Sequence, residues 1–299
     1  MTRLDVLDQF KSLQDAIYDG LCASDPLMVW QEDQWDRPGG GGGRSRAGVS
    51  GSIWEKGGVN FSDVHGVLND ALRSQLKTDA STFQATGVSL VLHPKSPHVP
   101  IVHMNVRHFK LDNGKEWFGG GIDLTPHYVE EEEAVLFHRA LKAICDQFDT
   151  GWYADFKALA DDYFYLPHRE ETRGIGGIFF DELGALPGSD LDQAFAFVQA
   201  LGEGFLPTYL PLVARKKDMP VEPMHFDWQR MRRGRYVEFN LVHDRGTRFG
   251  LVSNGRTESI LMSMPPQANW AYNYEVIAGS NEAQTQGQLK KGKDWLGGA

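Results

Sequence analysis

The chain has 299 residues, 41% of them hydrophobic and 23% charged, and a formal net charge of −10, which is the composition of a globular protein with a sizeable core. The acidic balance disfavours nucleic acids and anionic membranes as partners, and no apolar run approaches the roughly 20 residues that span a bilayer. Two cysteines, Cys22 and Cys145, are too few for a secreted disulfide scaffold, and the acidic, amphipathic N-terminus is unlike a signal peptide, so we expect a cytoplasmic protein.

The chain opens with a predicted helix, followed by a glycine run. Thr2 and Asp5 are typical of a helix start, and apolar residues then recur at helical spacing: Leu4, Leu7, Phe10, Leu13, Ile17 and Leu21. Five glycines occupy positions 39–43 and predict a flexible loop. This loop is not predicted to bind phosphate, because no Gly-Lys-Ser or Gly-Lys-Thr closes it.

Beyond the glycines, period-two alternation and β-branched or aromatic residues predict strands in seven ranges: 49–61, 87–93, 101–109, 174–180, 236–243, 248–253 and 259–264. Helices are predicted over five further ranges: 67–77, 130–148, 152–164, 190–205 and 225–233. Because strands and helices do not alternate evenly, the order favours an α+β fold with a mainly antiparallel sheet. No repeat or linker divides residues 1–299, so we expect a single domain in which the polar stretch 279–293 is a loose surface segment.

The segment 101–109, Ile-Val-His-Met-Asn-Val-Arg-His-Phe, carries the most informative pattern. In a strand, alternate side chains share a face, so His103, Asn105 and Arg107 would lie in a row on one side. One interpretation is a wall that binds an anionic ligand, with the arginine gripping a carboxylate; the other is the solvated polar face of a sheet. Ser89 has a similar position in the range 87–93, where an ordinary strand serine is the simpler interpretation.

Histidines at positions 93, 98, 103 and 108 recur every five residues and imitate a metal-binding pattern. Because five is odd, neighbours in this series would point to opposite faces of a strand, and intervening prolines break its continuity. His138 lies beside an apolar helical stripe, which is typical of a core histidine, and His168 lies in a predicted loop. Scattered histidines can still ligate a transition metal, so both interpretations stay open.

The range 117–126, Trp-Phe-Gly-Gly-Gly-Ile-Asp-Leu-Thr-Pro, joins three glycines to Asp123. Glycines let a backbone approach a flat ligand closely, and a carboxylate there would act as a base or as the partner of an N–H donor. The alternative is an aspartate in a turn before Thr-Pro. The tripeptide at 254–256, Asn-Gly-Arg, is predicted to be a tight turn between two strands, from which Arg256 would reach the edge of a site.

Taken together, these segments resemble the aerobic coproporphyrinogen III oxidase family. The resemblance rests on stretches along almost the whole chain: 42–46, 54–62, 87–94, 103–107, 117–126, 165–180, 233–241, 257–265 and 293–296. It implies a large antiparallel sheet flanked by helices on both sides. It also implies that molecular oxygen converts two propionates of coproporphyrinogen III into vinyls in haem biosynthesis, giving protoporphyrinogen IX, carbon dioxide and hydrogen peroxide.

The same resemblance implies roles for individual residues. His103 would donate a proton, Arg107 and Asp123 would take part in catalysis, and the substrate would contact a larger set: Ser89, His103, Asn105, Arg107, Asn254, Gly255 and Arg256. The family implies a homodimer whose subunits meet within 236–271. It implies no organic cofactor, and the sequence has no nucleotide-binding or haem-attachment motif. Bacterial members are credited with a metal ion on four histidines, which match His93, His103, His138 and His168.

Two other functions stay open on the sequence. A metal-dependent oxidase of another substrate would use these histidines to activate oxygen, and its activity would follow its metal content. A non-catalytic porphyrin carrier would bind the planar oxidised porphyrin and consume no oxygen.

Overall fold

The computed structural model describes residues 2–185, 189–252 and 255–297. Its strands are β1 (Val29–Asp36), β2 (Gly41–Val49), β3 (Trp54–Val67), β4 (Thr82–Pro94), β5 (Ile101–Leu111), β6 (Glu116–Thr125), β7 (Tyr165–Leu166), β8 (Glu171–Thr172) and β9 (Gly176–Leu183). Its helices are α1 (Arg3–Ser24), α2 (Asp70–Leu76), α3 (Glu131–Cys145), α4 (Trp152–Tyr163), α5 (Leu191–Glu203), α6 (Phe205–Lys216), α7 (Pro223–Glu238), α8 (Arg245–Val252), α9 (Thr257–Leu261) and α10 (Asn281–Gln288). A π-helical turn, Phe239–His243, follows α7 directly.

One antiparallel sheet organises the fold, with strands in the order β1-β2-β3-β4-β5-β6-β9, while β7 pairs with β8. One face of the sheet packs against α1, α3, α5 and α6 in a core that includes Phe10, Leu90 and Met104. On the other face, Val91 packs against Tyr236 of α7, and α8 and α9 lie nearby. The predicted α+β fold, with an antiparallel sheet flanked by helices on both sides, is confirmed.

The predicted N-terminal helix is α1, and its first turn is capped by side chains. The Asp5 amide donates to the Thr2 hydroxyl at 3.3 Å, and the Thr2 amide donates to the Asp5 carboxylate at 2.6 Å. Buried Gln14 donates to the carbonyls of Arg44 and Val59 at 2.8 and 2.7 Å, so this helix is tied to both β2 and β3.

The prediction of a loop holds for positions 39–40 of the five-glycine run, which lie between β1 and β2, but it is wrong for positions 41–43. Positions 41–43 begin β2 and pair with β3, and positions 42–43 also pair with β1. A Cβ atom at Gly43 would lie 2.5 Å from the Trp35 ring and would also collide with the Phe61 carbonyl. Glycine is therefore required here by an aromatic side chain that covers the strand, rather than by flexibility.

Three predicted strands, 236–243, 248–253 and 259–264, are also wrong. Within the described residues, these ranges hold the end of α7, the π-helical turn, α8 and α9. Tyr236, Phe239 and Asn240 stand at positions i, i+3 and i+4, and all are buried on one helical face. The local composition favours strands, but strand propensity depends strongly on packing. The segment is helical because a helix buries these three side chains on one face.

The stretch 279–293 is not a loose segment, which corrects a further prediction. It contains α10, where buried Thr285 accepts a hydrogen bond from the Val129 amide at 3.0 Å. Leu289 and Trp295 are also buried in the core. In the part of the chain that the structure describes, we find no helix with the length and apolar character needed to cross a membrane.

Asp25 connects the end of α1 to the turn before β3. Its buried carboxylate accepts hydrogen bonds from the Ser52 amide and hydroxyl and from the Ile53 and Trp54 amides, at 2.7–3.1 Å. Burial alone would raise the pKa of Asp25, but these donors outweigh burial and hold the pKa below its usual value.

We predict that Asp25→Asn lowers the free energy of unfolding by about 1–3 kcal/mol at neutral pH, because an amide cannot accept all of these hydrogen bonds. A pKa that is lowered by folding adds stability above the unfolded-state value of about 4, and this stability is lost as the pH falls through the folded-state pKa. The gap between wild type and variant in urea unfolding should therefore shrink below about pH 4. Asp8→Asn, at an exposed site on α1, is the control, and equal losses in both variants would contradict the prediction.

Candidate active site

A cavity of about 790 Å³ opens on the sheet face that carries the polar side chains of β3, β4 and β5. The strand register places Asn60 of β3 opposite Ser89 of β4, and Ser89 opposite Asn105 of β5. His103 and Arg107 flank Asn105 and line the same cavity, whereas the residues between them are buried on the core side. The predicted row of His103, Asn105 and Arg107 is confirmed, and Ser89 belongs to the same wall.

Asp123 lies behind His103 rather than in the cavity wall. Its Oδ1 is 2.8 Å from Nδ1 of His103, and Arg173 donates to both of its oxygens, at 2.7 and 3.1 Å. The side chains of Asp123 and Arg173 are each 1% exposed. Burial alone would raise the pKa of Asp123, but the charge of Arg173 and the hydrogen bond from His103 hold it below its usual value. Asp123 lies within β6, so its interpretation as an aspartate in a turn is wrong.

An aromatic cage surrounds the Arg173 guanidinium. Its central carbon lies 4.6 Å from the ring centres of Phe164 and Phe239 and 4.7 Å from that of Tyr236. Arg173 also donates to the Asn240 side chain at 3.2 Å. Ring faces at such distances stabilise a cation, so the cage holds Arg173 in place against Asp123. Arg173 has no predicted role in the site. The helical spacing of residues 236, 239 and 240 was the one available sign that buried side chains meet in this region.

The hydrogen bonds of His103 fix its orientation. Because Asp123 is ionised, Nδ1–H of His103 donates to the carboxylate, and Nε2 accepts from the Asn105 amide at 3.2 Å. Phe164 packs edge-on against the imidazole, with 6.2 Å between ring centres. A carboxylate behind an imidazole stabilises the imidazolium, so this pair can take up or deliver a proton at Nε2.

Arg107 presents a guanidinium to the cavity beside this pair. Its Nη2 is 3.0 Å from Oδ1 of Asp181, which also accepts from the Trp117 indole at 3.1 Å. In the strand register, Arg107 stands between Gly87 and Gly119, and a Cβ atom at Gly119 would lie 2.9 Å from its Nε. The first glycine of the triplet therefore makes room for the arginine. We had expected the triplet to lie against a ligand.

Asp244 and Arg245 also line the cavity, and neither is among the site residues predicted from the sequence. Asp244 accepts from the Tyr163 hydroxyl at 2.7 Å and from the Thr247 amide and hydroxyl at 2.7 and 2.8 Å. Burial alone would raise the pKa of Asp244, but these donors hold it below its usual value. The Arg245 guanidinium lies over the rings of Tyr163 and Phe179, 4.8 and 5.5 Å from their centres.

The predicted turn at 254–256 joins two helices, α8 and α9, rather than two strands. Asn254 lies outside the described residues. Gly255 and Arg256 line the cavity, and Arg256 pairs with Asp33 of β1. Arg256 therefore reaches the edge of the cavity, as expected, but it does so from the connection between two helices.

The four histidines that the resemblance assigned to a metal ion do not meet. His93 is buried and donates from Nε2 to the Ser263 carbonyl at 2.8 Å, and burial lowers its pKa to about 3. His168 is 2.8 Å from Glu238, whereas His103 pairs with Asp123.

His138 is a core histidine, as its helical stripe indicated. It lies 3.0 Å from both the Ile175 carbonyl and the Tyr153 hydroxyl, and burial lowers its pKa to about 4. Across residues 2–185, 189–252 and 255–297, no group of three or more His, Cys, Asp or Glu side chains is arranged to hold a metal ion. The residues present therefore do not fit the expected four-histidine site.

We predict that Arg173→Met lowers the free energy of unfolding by about 3–5 kcal/mol, because it leaves an ionised carboxylate buried without its main counter-charge. Arg169→Met is the control: Arg169 also makes two hydrogen bonds to a carboxylate, that of Glu238, but is 38% exposed, and we expect a loss of about 0–1 kcal/mol. Denaturant unfolding measures both losses. Adding Asp123→Asn to Arg173→Met should recover part of the stability, and equal losses for the two arginines would contradict this account.

A comparison with known protein families places this site in context. Residues 5–295 match the family described as coproporphyrinogen III oxidase. The matched range begins in α1, ends at Trp295 and includes all strands of the large sheet, together with the residues described above as lining the cavity. Because the match covers nearly the whole chain, the protein belongs to the coproporphyrinogen III oxidase family.

Proposed function

We propose that the protein uses molecular oxygen to convert two propionates of coproporphyrinogen III into vinyls, with release of protoporphyrinogen IX, carbon dioxide and hydrogen peroxide. The observation that carries this proposal is the His103–Asp123 pair, which faces a cavity whose wall also presents Arg107. In each round, a propionate loses carbon dioxide, two electrons and one proton. Oxygen takes both electrons and two protons, so each round needs one further proton.

A proton donor in the cavity wall suits this need. His103 would supply the further proton from Nε2, and the ionised Asp123 behind it stabilises the imidazolium that carries the proton. Arg107 would hold a propionate of the substrate, since a guanidinium can bind a carboxylate through two parallel hydrogen bonds. Asn105 and Ser89, on the same wall, would help to orient the macrocycle.

The substrate carries four propionates, and a chain with a net charge of −10 must offset them with local cations. Arg245 and Arg256 line the same cavity as Arg107 and would bind propionates that are not reacting. Asp244 would accept hydrogen bonds from pyrrole N–H groups. This role suits Asp244 better than Asp123, because Asp244 lines the cavity, whereas Asp123 lies behind His103 and pairs with buried Arg173.

We propose that the reaction needs no organic cofactor, because a porphyrinogen is an electron-rich tetrapyrrole that can pass electrons to oxygen itself. We give His93, His138 and His168 no part in oxygen activation. Two of these histidines are buried with carbonyl partners, and the third pairs with Glu238.

The active form, in this proposal, is a cytoplasmic homodimer with its interface within 236–271. Phe239 and Met262, within this range, are buried in the monomer and would not take part in the interface. Leu241 and Val242 are instead 49% and 57% exposed, and both are available to a second subunit.

Oxygen uptake with coproporphyrinogen III tests the proposed reaction. We expect the purified, colourless protein to consume oxygen and release carbon dioxide in equal amounts, with activity unchanged by a chelator. A carrier would bind the porphyrin without oxygen uptake, and a metal-dependent oxidase would lose activity with the chelator. Either result would contradict the proposal, as would a flavin or haem spectrum that follows activity.

Arg107→Ala should lower kcat/KM by about 10–150-fold, which corresponds to the loss of a charged hydrogen bond of about 1.5–3 kcal/mol. Arg107→Lys should restore only part of the activity, because an ammonium cannot form the two parallel bonds. The melting temperature should change little, since the ion pair with Asp181 is partly exposed. A large fall in melting temperature with normal turnover per folded molecule would instead assign Arg107 a structural role.

A further inference from the structure

Asp181 touches Arg107 at the point where the proposed function places a substrate carboxylate. We propose that Asp181 is a positioning residue that competes with the substrate for Arg107, so that a propionate that is not to react can leave and one that is to react can bind. This inference rests on the proposed function, because it needs a ligand with several carboxylates of which two react in turn.

The contact between the two side chains is a weak one. One nitrogen of Arg107, Nη2, lies 3.0 Å from one oxygen of Asp181, and the side chains are 34% and 35% exposed. Arg173 and Asp123 differ on both counts, since they share two hydrogen bonds and are each 1% exposed. A partly exposed ion pair with a single contact exchanges partners far more readily than a buried pair with two. Arg173 therefore keeps its carboxylate partner, whereas Arg107 can exchange Asp181 for a carboxylate of the substrate.

Asp181 itself is held in place. Its Oδ1 accepts from the Trp117 indole at 3.1 Å and from the Glu182 amide at 3.0 Å, in addition to the contact with Arg107. Burial alone would raise the pKa of Asp181, but Arg107 and these donors hold it below its usual value. An ionised carboxylate thus stays beside the guanidinium while ligands come and go.

Two glycines beside Arg107 leave space for the side chains of Arg107 and Asp181, but not for an additional Cβ atom. A Cβ atom at Gly119 would lie 2.7 Å from Oδ1 of Asp181 and 2.9 Å from Nε of Arg107. Gly87, on the other side, would place its Cβ 3.2 Å from the Cβ of Arg107. Both residues that pair with Arg107 in the strand register are glycines. The side chains of Arg107 and Asp181 therefore have room beside the sheet, where both line the cavity.

The chemistry of two successive rounds gives this competition a use. A guanidinium without a counter-charge would bind any propionate of the macrocycle that reaches it, including one that is not to react. The reacting carboxylate leaves Arg107 as carbon dioxide. The one-vinyl intermediate then carries three propionates, of which only one is to react, so either of the others has to leave if Arg107 binds it. Asp181, already 3.0 Å away, can take the place of the departing carboxylate at Arg107.

The test compares binding with turnover in Asp181→Asn. Fluorescence titration with coproporphyrin III, the oxidised tetracarboxylate, should show about tenfold tighter binding than in wild type, a change of about 1.4 kcal/mol. During turnover, KM and kcat should both fall, and the product with one vinyl and three propionates should accumulate. Weaker binding, or no accumulation of that intermediate, would overturn the proposal.

Matched variants separate competition from a general charge effect. Glu182→Gln removes the same charge one residue away, where Glu182 pairs with Lys115 at 2.7 Å, and should leave the release of the one-vinyl intermediate unchanged. In an Arg107→Ala background, Asp181→Asn should no longer tighten binding. Equal effects of the two charge removals, or tightening that persists without Arg107, would overturn the role of Asp181.

Asp181→Ser is a second uncharged variant, for use if Asp181→Asn melts at a lower temperature than wild type. It should also bind coproporphyrin III more tightly than wild type does. The binding titrations need no turnover. If wild type failed to consume coproporphyrinogen III, the proposed function would fall, whereas the competition at Arg107 would still be decided by the titrations.

Discussion

The buried ion pair between Arg173 and Asp123 joins parts of the chain that are distant in sequence. Asp123 belongs to β6, Arg173 follows β8, and the rings around the guanidinium come from Phe164, after α4, and from Tyr236 and Phe239 at the end of α7. Charges with almost no exposure are tolerated only when they are paired and hydrogen-bonded. The sheet and the helices above it must therefore assemble together, and the same pair fixes where the imidazole of His103 stands at the cavity wall.

The sequence predicted four strands of the large sheet, β3, β4, β5 and β9, but it missed β1, β2 and β6 and predicted strands where α8, α9 and the π-helical turn lie. Alternation in β4 and β5 is reliable because one face of each strand is buried in the main core, and a shift by one residue would expose that whole face. Neither α6 nor the helical character of the range after Tyr236 could be predicted in this way. Pro207 and Pro211 interrupt the helical pattern of α6, and aromatic and β-branched residues after Tyr236 favour strands locally.

The residues of the candidate site that could be predicted from the sequence are those whose arrangement is local. His103, Asn105 and Arg107 could be grouped from sequence because they lie two residues apart on one strand, where geometry is local. Arg173, Asp181 and Asp244 acquire their roles only through contacts with distant segments, and nothing in their own surroundings marks them. The four histidines that the resemblance grouped do not meet for the complementary reason: His93 and His138 find carbonyl partners in separate parts of the interior.

The π-helical turn at Phe239–His243 makes the length of this segment as important as its side chains. A π-helical turn holds about one residue more than an α-helical turn. Tyr236 and Phe239 face the Arg173 guanidinium before this extra residue is absorbed, and Asp244 and Arg245 face the cavity after it. Deleting one residue would restore regular winding and rotate everything downstream by about 100°. Insertions and deletions between Tyr236 and Asp244 would therefore misdirect a whole wall of the cavity at once.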